Sequence, residues 1–135
     1  MTIQEAIDAM NGILNKSWDA TAYPILWEGV ADDQPTDKPF LRVTIKHASD
    51  GVASLPAWNG ERIFRRSGTI FVSIFTPITD NSGLRFQLSQ NVIDIFETAQ
   101  DDSVSFENIY PVEIGQSGNF YQINVLIEFN YQDIH

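Results

Sequence analysis

The sequence predicts an α+β domain, in which two helices pack on one face of a largely antiparallel sheet of about five strands. Apolar residues recur with helical spacing in two segments and alternate with polar residues in about five others. These segments follow one another in the order helix, strands, helix, strands, which is typical of this class. Because the chain has 135 residues and is 43% hydrophobic, it can bury one core, and we assign residues 1–135 to a single domain.

The first helix is predicted to begin after Thr2, a suitable N-cap with Glu5 three residues later. Its apolar stripe comprises Ile3, Ile7, Met10 and Leu14. Residues 15–22 are predicted to be a connector. Residues 23–29, which include Pro24, are predicted to be a short extended segment at a sheet edge.

Residues 40–46 alternate between apolar and polar side chains and predict a strand with a wet or subunit-facing side. Residues 49–61 lack a period and are predicted to be a long loop, of the kind that usually binds something. This loop carries Leu55 and Trp58. It could be a flap over its own core, or a contact arm that becomes ordered against a partner, with these two residues as anchors.

The longest strand is predicted over residues 62–76, and the rest of the fold is organised around it. Its period of two places Ile70, Val72 and Ile74 on one face, and Phe71 and Phe75 on the other. We expect the face with Phe71 and Phe75 to meet a helix or another subunit.

Three arginines, Arg62, Arg65 and Arg66, stand at the start of this strand in a chain of net charge −10. We predict that they pair with carboxylates of a neighbouring subunit. Pairing within the chain and solvated side chains are the alternatives, because exposed ion pairs are common and weak.

A second helix is predicted after residues 80–83, with an apolar stripe from Leu84 to Ala99. Residues 104–114 are predicted to be extended and interrupted around Pro111, with a turn over residues 115–119. Residues 121–131 alternate between apolar and polar side chains, with Leu126 as the one apolar exception, and predict the last strand. We expect these last two extended segments to form a hairpin.

Composition excludes several classes of function. The net charge of −10 and the pI near 4.3 argue against a DNA-binding protein that reads sequence. They are compatible with plain solubility, or with a conduit along which DNA slides without sticking. There is no cysteine, no secretory signal and no apolar run long enough to span a membrane, so we expect the protein to stay inside the cell that makes it.

No catalytic, cofactor-binding or metal-binding motif is found, so we expect no enzyme activity, no cofactor and no metal. Asp32, Asp33 and Asp37 lack the spacing of a calcium loop. The competing class is a small ligand-binding or enzymatic domain, with a site under residues 49–61 and Trp58 as its lid.

Four short motifs follow one another along the chain: Tyr23-Pro24-Ile25-Leu26-Trp27-Glu28, Pro39-Phe40-Leu41-Arg42-Val43, Arg65-Arg66-Ser67-Gly68 and Phe120-Tyr121-Gln122-Ile123-Asn124-Val125. In this order the chain resembles the tail terminator, or tail completion, proteins of long-tailed bacteriophages. The resemblance covers nearly the whole chain. The link over residues 76–83 contains less glycine than the family pattern.

The resemblance implies a structural virion protein of the tail, assembled in the host cytoplasm. Its subunits would form a homohexameric ring that caps the tail tube, ends tube polymerisation and supports head-tail joining. The implied partners are the other copies of the chain, the tail tube protein, a head-completion or connector protein and the tape measure protein. DNA would pass through the lumen without sequence-specific binding, and no membrane would be involved.

Overall fold

The structure is a computed structural model. It describes residues 2–19, 21–29, 35, 37–48, 53–56, 62–79, 83–99, 101 and 103–134. Residues 53–56, 62–64, 133 and 134 are described by their backbone alone.

Two helices and six strands form the described part of the chain. In chain order they are α1 (Ile3–Ser17), β1 (Ile25–Trp27), β2 (Phe40–His47), β3 (Ala53–Pro56), β4 (Arg62–Pro77), α2 (Gly83–Thr98), β5 (Val104–Ser117) and β6 (Phe120–Ile134). The strands form one sheet in the order β1-β2-β4-β6-β5, and β3 also pairs with β4. β1 runs parallel to β2, and every other pairing is antiparallel. The predicted fold class is confirmed.

The first helix begins at a capping box. The Thr2 hydroxyl accepts from the Glu5 backbone N–H at 3.2 Å, and the Glu5 carboxylate accepts from the Thr2 N–H at 3.2 Å. The helix continues to Ser17, so the prediction of a connector from residue 15 was wrong for its first three residues. Residues 15–17 are exposed polar residues of the last turn, and they therefore add nothing to the apolar stripe from which the boundary was predicted.

Both helices pack on the same face of the sheet. Ala6, Met10 and Leu14 of α1 and Leu88, Val92 and Phe96 of α2 share one core with the apolar residues of that sheet face. The strands contribute Ile25, Leu41, Val43, Ile70, Val72, Ile74, Val104, Val125, Ile127, Phe129 and Tyr131.

The long strand β4 is the centre of the sheet. It pairs with β6 along nearly its whole length, from Ile63 opposite Ile134 to Pro77 opposite Phe120. On its other side, β2 pairs with the second half of β4 and β3 pairs with the first four residues. The prediction of a loop was therefore wrong for residues 53–56. This short segment has no local period, and it becomes a strand by pairing antiparallel with residues 62–65, the start of the next strand along the chain. Residues 49–52 and 57–61, and with them Trp58, lie outside the described residues.

The edge strand β5 continues through Pro111 to Ser117, and the turn to β6 is formed by Gly118 and Asn119. The predicted interruption at Pro111 and the predicted start of the turn at residue 115 were wrong. Within the described residues β5 pairs on one side only, with β6, and a proline can lie in an edge strand because its missing N–H is not needed by the ladder. Register shifts occur between Phe106 and Ile109 and between Glu113 and Gly115. The predicted hairpin with β6 is confirmed.

Candidate functional site

The sheet has a second face, opposite the helices, which we call the open face. Alternation along β4 places Ile70, Val72 and Ile74 in the core beneath the helices and directs Phe71 and Phe75 to the open face. Neither α1 nor α2, the helices of the described chain, packs on that face. The sequence predicted that Phe71 and Phe75 would meet a helix or a subunit, and the two residues have different surroundings.

Phe75 lies in a small second core at one end of the open face. Its ring stacks on Phe40 with centroids 4.7 Å apart, and Phe120 meets both rings edge-on, at 5.3 Å from Phe40 and 6.2 Å from Phe75. The Arg42 guanidinium lies 5.5 Å from the centre of the Phe75 ring. Because Phe75 is only 8% exposed, its own chain covers most of it. Its assignment to a subunit or tube interface stays a prediction.

Phe71 lies in an apolar band across the middle of the open face. The strand register aligns Thr44, Phe71, Leu126 and Tyr110 on adjacent strands. Phe71 and Leu126 are half-buried, whereas Tyr110 is 40% exposed and its neighbour on the same face, Val112, is 37% exposed. Exposed apolar side chains in a contiguous band are typical of a surface that another molecule covers.

The three arginines are not brought together as one cluster. Arg65 is exposed on the open face, opposite Gln132 in the register. Arg66 lies on the helix side of β4, opposite Tyr131, and is half-buried. The side chain of Arg62 is not described. Consecutive strand residues point to opposite faces, so the separation of Arg65 from Arg66 was available from the sequence. Their pairing with a neighbouring subunit stays a prediction, as does the contact assigned to Leu55, whose side chain is not described.

A polar and aromatic cluster lies on the helix side, where β2 ends. The His47 Nε2 atom is 2.7 Å from the Tyr131 hydroxyl, and the His47 ring meets the Phe129 ring edge-on at 5.3 Å. Burial lowers the pKa of His47 below its usual value, and the nearby charge of Arg66 lowers this pKa further. Gly68, opposite His47, leaves room for the Phe129 ring. The sequence signal for this close approach was a glycine inside a strand.

Two carboxylates of β5 and β6 are held by side-chain amides of the neighbouring strand. Glu128 accepts from the Asn108 amide at 2.6 Å, and Glu107 accepts from the Asn130 amide. These contacts are exposed and fix the direction of both carboxylates relative to the sheet. They make Glu107 and Glu128 ordered surface acceptors.

A groove of about 600 Å³ lies between the end of α2 and the start of β5. Its lining includes Phe96, Glu97, Asp101, Phe106 and Glu107. Within the described residues, no group of three or more histidine, cysteine, aspartate or glutamate side chains could hold a metal ion. The competing prediction of a ligand site under residues 49–61 concerns a segment that is largely outside the described residues.

No helix in the described chain combines the length and the apolar character needed to cross a membrane.

Comparison with known proteins identifies the family. The sequence profile of the family described as phage tail terminator protein matches residues 5–105. The chain therefore belongs to the phage tail terminator family, a family of structural tail proteins, and the predicted resemblance is confirmed. No curated protein sequence matches the chain.

The fold is also found in a solved structure of another protein. That structure matches with a TM-score of 0.64 and 17% sequence identity, over 94% of this chain and 96% of the other. At this identity the likeness concerns the fold alone.

Proposed function

We propose that this protein forms a closed six-membered ring that caps the phage tail tube, ends its polymerisation and provides the surface to which the head joins. The observation that carries the proposal is the open face of the sheet, in a chain that belongs to a family of structural tail proteins. A protein with this role acts through surfaces that other subunits cover, and the apolar band on the open face has this character.

The band supports an interface because of its composition. Its rings and aliphatic groups come from three adjacent strands, β4, β6 and β5, and two of its members are exposed by more than a third. Interfaces have an apolar centre surrounded by polar groups. Here Thr69 and Glu128 lie in the row on one side of Phe71 and Leu126. Ser73 and Asn124 lie in the row on the other side, which continues to Val112 on β5.

A cap must also stop growth. A tube grows through a heterologous interface that repeats without closing, so a subunit that matches the tube on one face only ends the series. Blocking the next tube subunit is then as important as binding the last one. Neither task requires a chemical reaction.

The partners follow from this role. They are the other copies in the ring, the tail tube protein, a head-completion or connector protein and the tape measure protein. DNA passes through the lumen, and the net charge of −10 keeps the wall from holding it. The protein is assembled in the host cytoplasm and becomes part of the virion tail.

Deleting the gene for this chain in a phage that carries it tests the proposal. We expect tails of irregular, excessive length that fail to join heads, measured by electron microscopy, because nothing ends the tube. Supplying the protein from a plasmid should restore both length and joining, and an empty plasmid is the control. Tails of normal length joined to DNA-filled heads in the absence of the protein would refute the proposal.

A further inference from the structure

The charged residues of the sheet are sorted by strand. β2 and β4, which are neighbours in the sheet, carry five of the eight lysines and arginines of the chain and no acidic residue. We call these two strands the basic half. Its charged residues are Arg42, Lys46, Arg62, Arg65 and Arg66.

The next two strands have the opposite charge. β6 and β5 carry four acidic residues and no lysine or arginine, and β1 and β3 carry no charge. We call β6 and β5 the acidic half. Its charged residues are Glu107, Glu113, Glu128 and Asp133. The described sheet is therefore positive on one side of the β4–β6 boundary and negative on the other.

Both halves present charge to the surroundings. On the basic half, Arg42, Lys46 and Arg65 are exposed and belong to the open face. On the acidic half, Glu107 and Glu113 are exposed on the free-edge strand, where Glu113 lies opposite Ile123 on the helix side of the sheet. Both signs are thus accessible on the same molecule.

The acidic half also exposes apolar surface. Tyr110, Val112 and Ile114 on β5 are 40%, 37% and 50% exposed. Charge alone gives orientation and little affinity at an exposed site. Apolar side chains beside the carboxylates supply area that an incoming surface can bury.

We propose that neighbouring copies of this chain join head to tail, with the basic half of one sheet against the acidic half of the next. The proposal rests on the ring proposed above and assigns the two surfaces that close it. A cyclic ring requires two different and complementary surfaces on every subunit, and the polarised sheet supplies both. Like halves repel each other, which disfavours pairing in the wrong orientation.

A second copy fits this pattern better than DNA does. DNA would be attracted to the basic half and would leave the ordered carboxylates and apolar side chains of the acidic half unexplained. A second copy of the chain carries positive and negative charge in separate patches. One kind of contact between copies therefore pairs the basic half of one with the acidic half of the next.

Paired charge reversals test the proposal. The basic-half variant is Arg42→Glu with Lys46→Glu, and the acidic-half variant is Glu107→Lys with Glu113→Lys. We expect each variant alone to self-associate at least about tenfold more weakly than the natural chain, because the contact then joins like charges. An equimolar mixture should associate again, because every reversed half finds an opposite partner. Sedimentation equilibrium measures the masses and association constants.

The mixture also serves as a test of folding, since an unfolded variant could not restore association. A matched control for the acidic-half variant is Asp8→Lys with Asp94→Lys, which makes the same change of net charge on exposed helix surfaces. We expect this control to associate within about twofold of the natural chain.

Four results would overturn the proposal: variants that associate as tightly as the natural chain, a mixture that stays dissociated, a natural chain that stays monomeric at every soluble concentration, and particles limited to two copies. These results would leave the tail-length test unaffected. If the natural protein restores tail length but its charge variants associate normally, the proposed capping function stands. Only the assignment of the two surfaces is then refuted.

Discussion

Gly68 is a position where β4 has no room for a side chain beside β2. A Cβ on this residue would lie 2.8 Å from both the His47 Cα and the Phe129 Cζ, and closer still to the Lys46 carbonyl oxygen. We predict that Gly68→Ala lowers the free energy of unfolding by about 3 kcal/mol, because backbone atoms of β2 must move to admit the methyl group. Urea unfolding followed by circular dichroism measures the change.

Gly12 provides the matched control. It lies inside α1, and apart from its chain neighbours and the adjacent helix backbone, no atom of the described chain is within 4 Å of a Cβ built there. Gly12→Ala should raise the free energy of unfolding by about 0.5–1 kcal/mol, because alanine favours the helix. If the two substitutions had the same effect, the close packing at Gly68 would not be the cause.

His47 makes stability depend on pH. Its pKa is lowered in the folded chain, mainly by burial and further by the Arg66 charge, so below about pH 6.5 the unfolded chain takes up the proton more readily. The stability that this residue contributes is fully present above its unfolded pKa and is lost as pH falls towards the folded pKa. We predict that the natural chain loses stability between about pH 7.5 and pH 5.5 beyond any loss in a His47→Gln variant.

The variant is needed as a reference because carboxylates can also change protonation towards low pH. Urea unfolding of both proteins at the two pH values gives the difference. Parallel losses in the two proteins would show that His47 contributes nothing to the pH dependence.

At the scale of elements, the open face contains two aromatic residues of β4 with different roles. Phe75 is almost covered by Phe40 and Phe120 of its own chain, whereas Phe71 is half-buried in the apolar band. We predict that Phe75→Ala lowers the free energy of unfolding of the monomer by about 3–4 kcal/mol, because it leaves a cavity in the second core. Phe71→Ala should lower the free energy of unfolding by less than half as much as Phe75→Ala. It should instead weaken self-association.

Each substitution is the control for the other, since both remove the same ring from the same face of the same strand. Urea unfolding at a concentration where the chain is monomeric gives the stability, and sedimentation equilibrium gives the association. A Phe71→Ala variant that is as unstable as Phe75→Ala and associates normally would remove the apolar band from the proposed interface.

At the scale of the whole molecule, the helices of the described chain cover one face of the sheet and leave the open face for the proposed contacts with other copies. The helices bury one face of the sheet, and the apolar band and most of the exposed sheet charges lie on or beside the other. A ring subunit of this design can bind its neighbours without changing its own core.

The sequence by itself determined the fold class, the two helices, the strand pattern of β2, β4 and β6, and the family. Each of these depends on local period or on short motifs, and local period reports which residues share one face of one element. Thr2 and Glu5, for example, predicted the capping box that begins α1. The alternation in β4 likewise separated Ile70 from Phe71.

Tertiary structure alone decided the pairing of β3, the passage of β5 through Pro111, the covering of Phe75 by Phe40 and Phe120, and the separation of the sheet into a basic and an acidic half. In the sheet, β4 lies between β2 and β6, and β5 pairs with β6 at the edge. Apart from the β3–β4 and β5–β6 pairings of consecutive strands, which strands become neighbours depends on hydrogen bonds between residues far apart in the chain. No local pattern encodes such contacts, because their stability arises only when both strands are already in place.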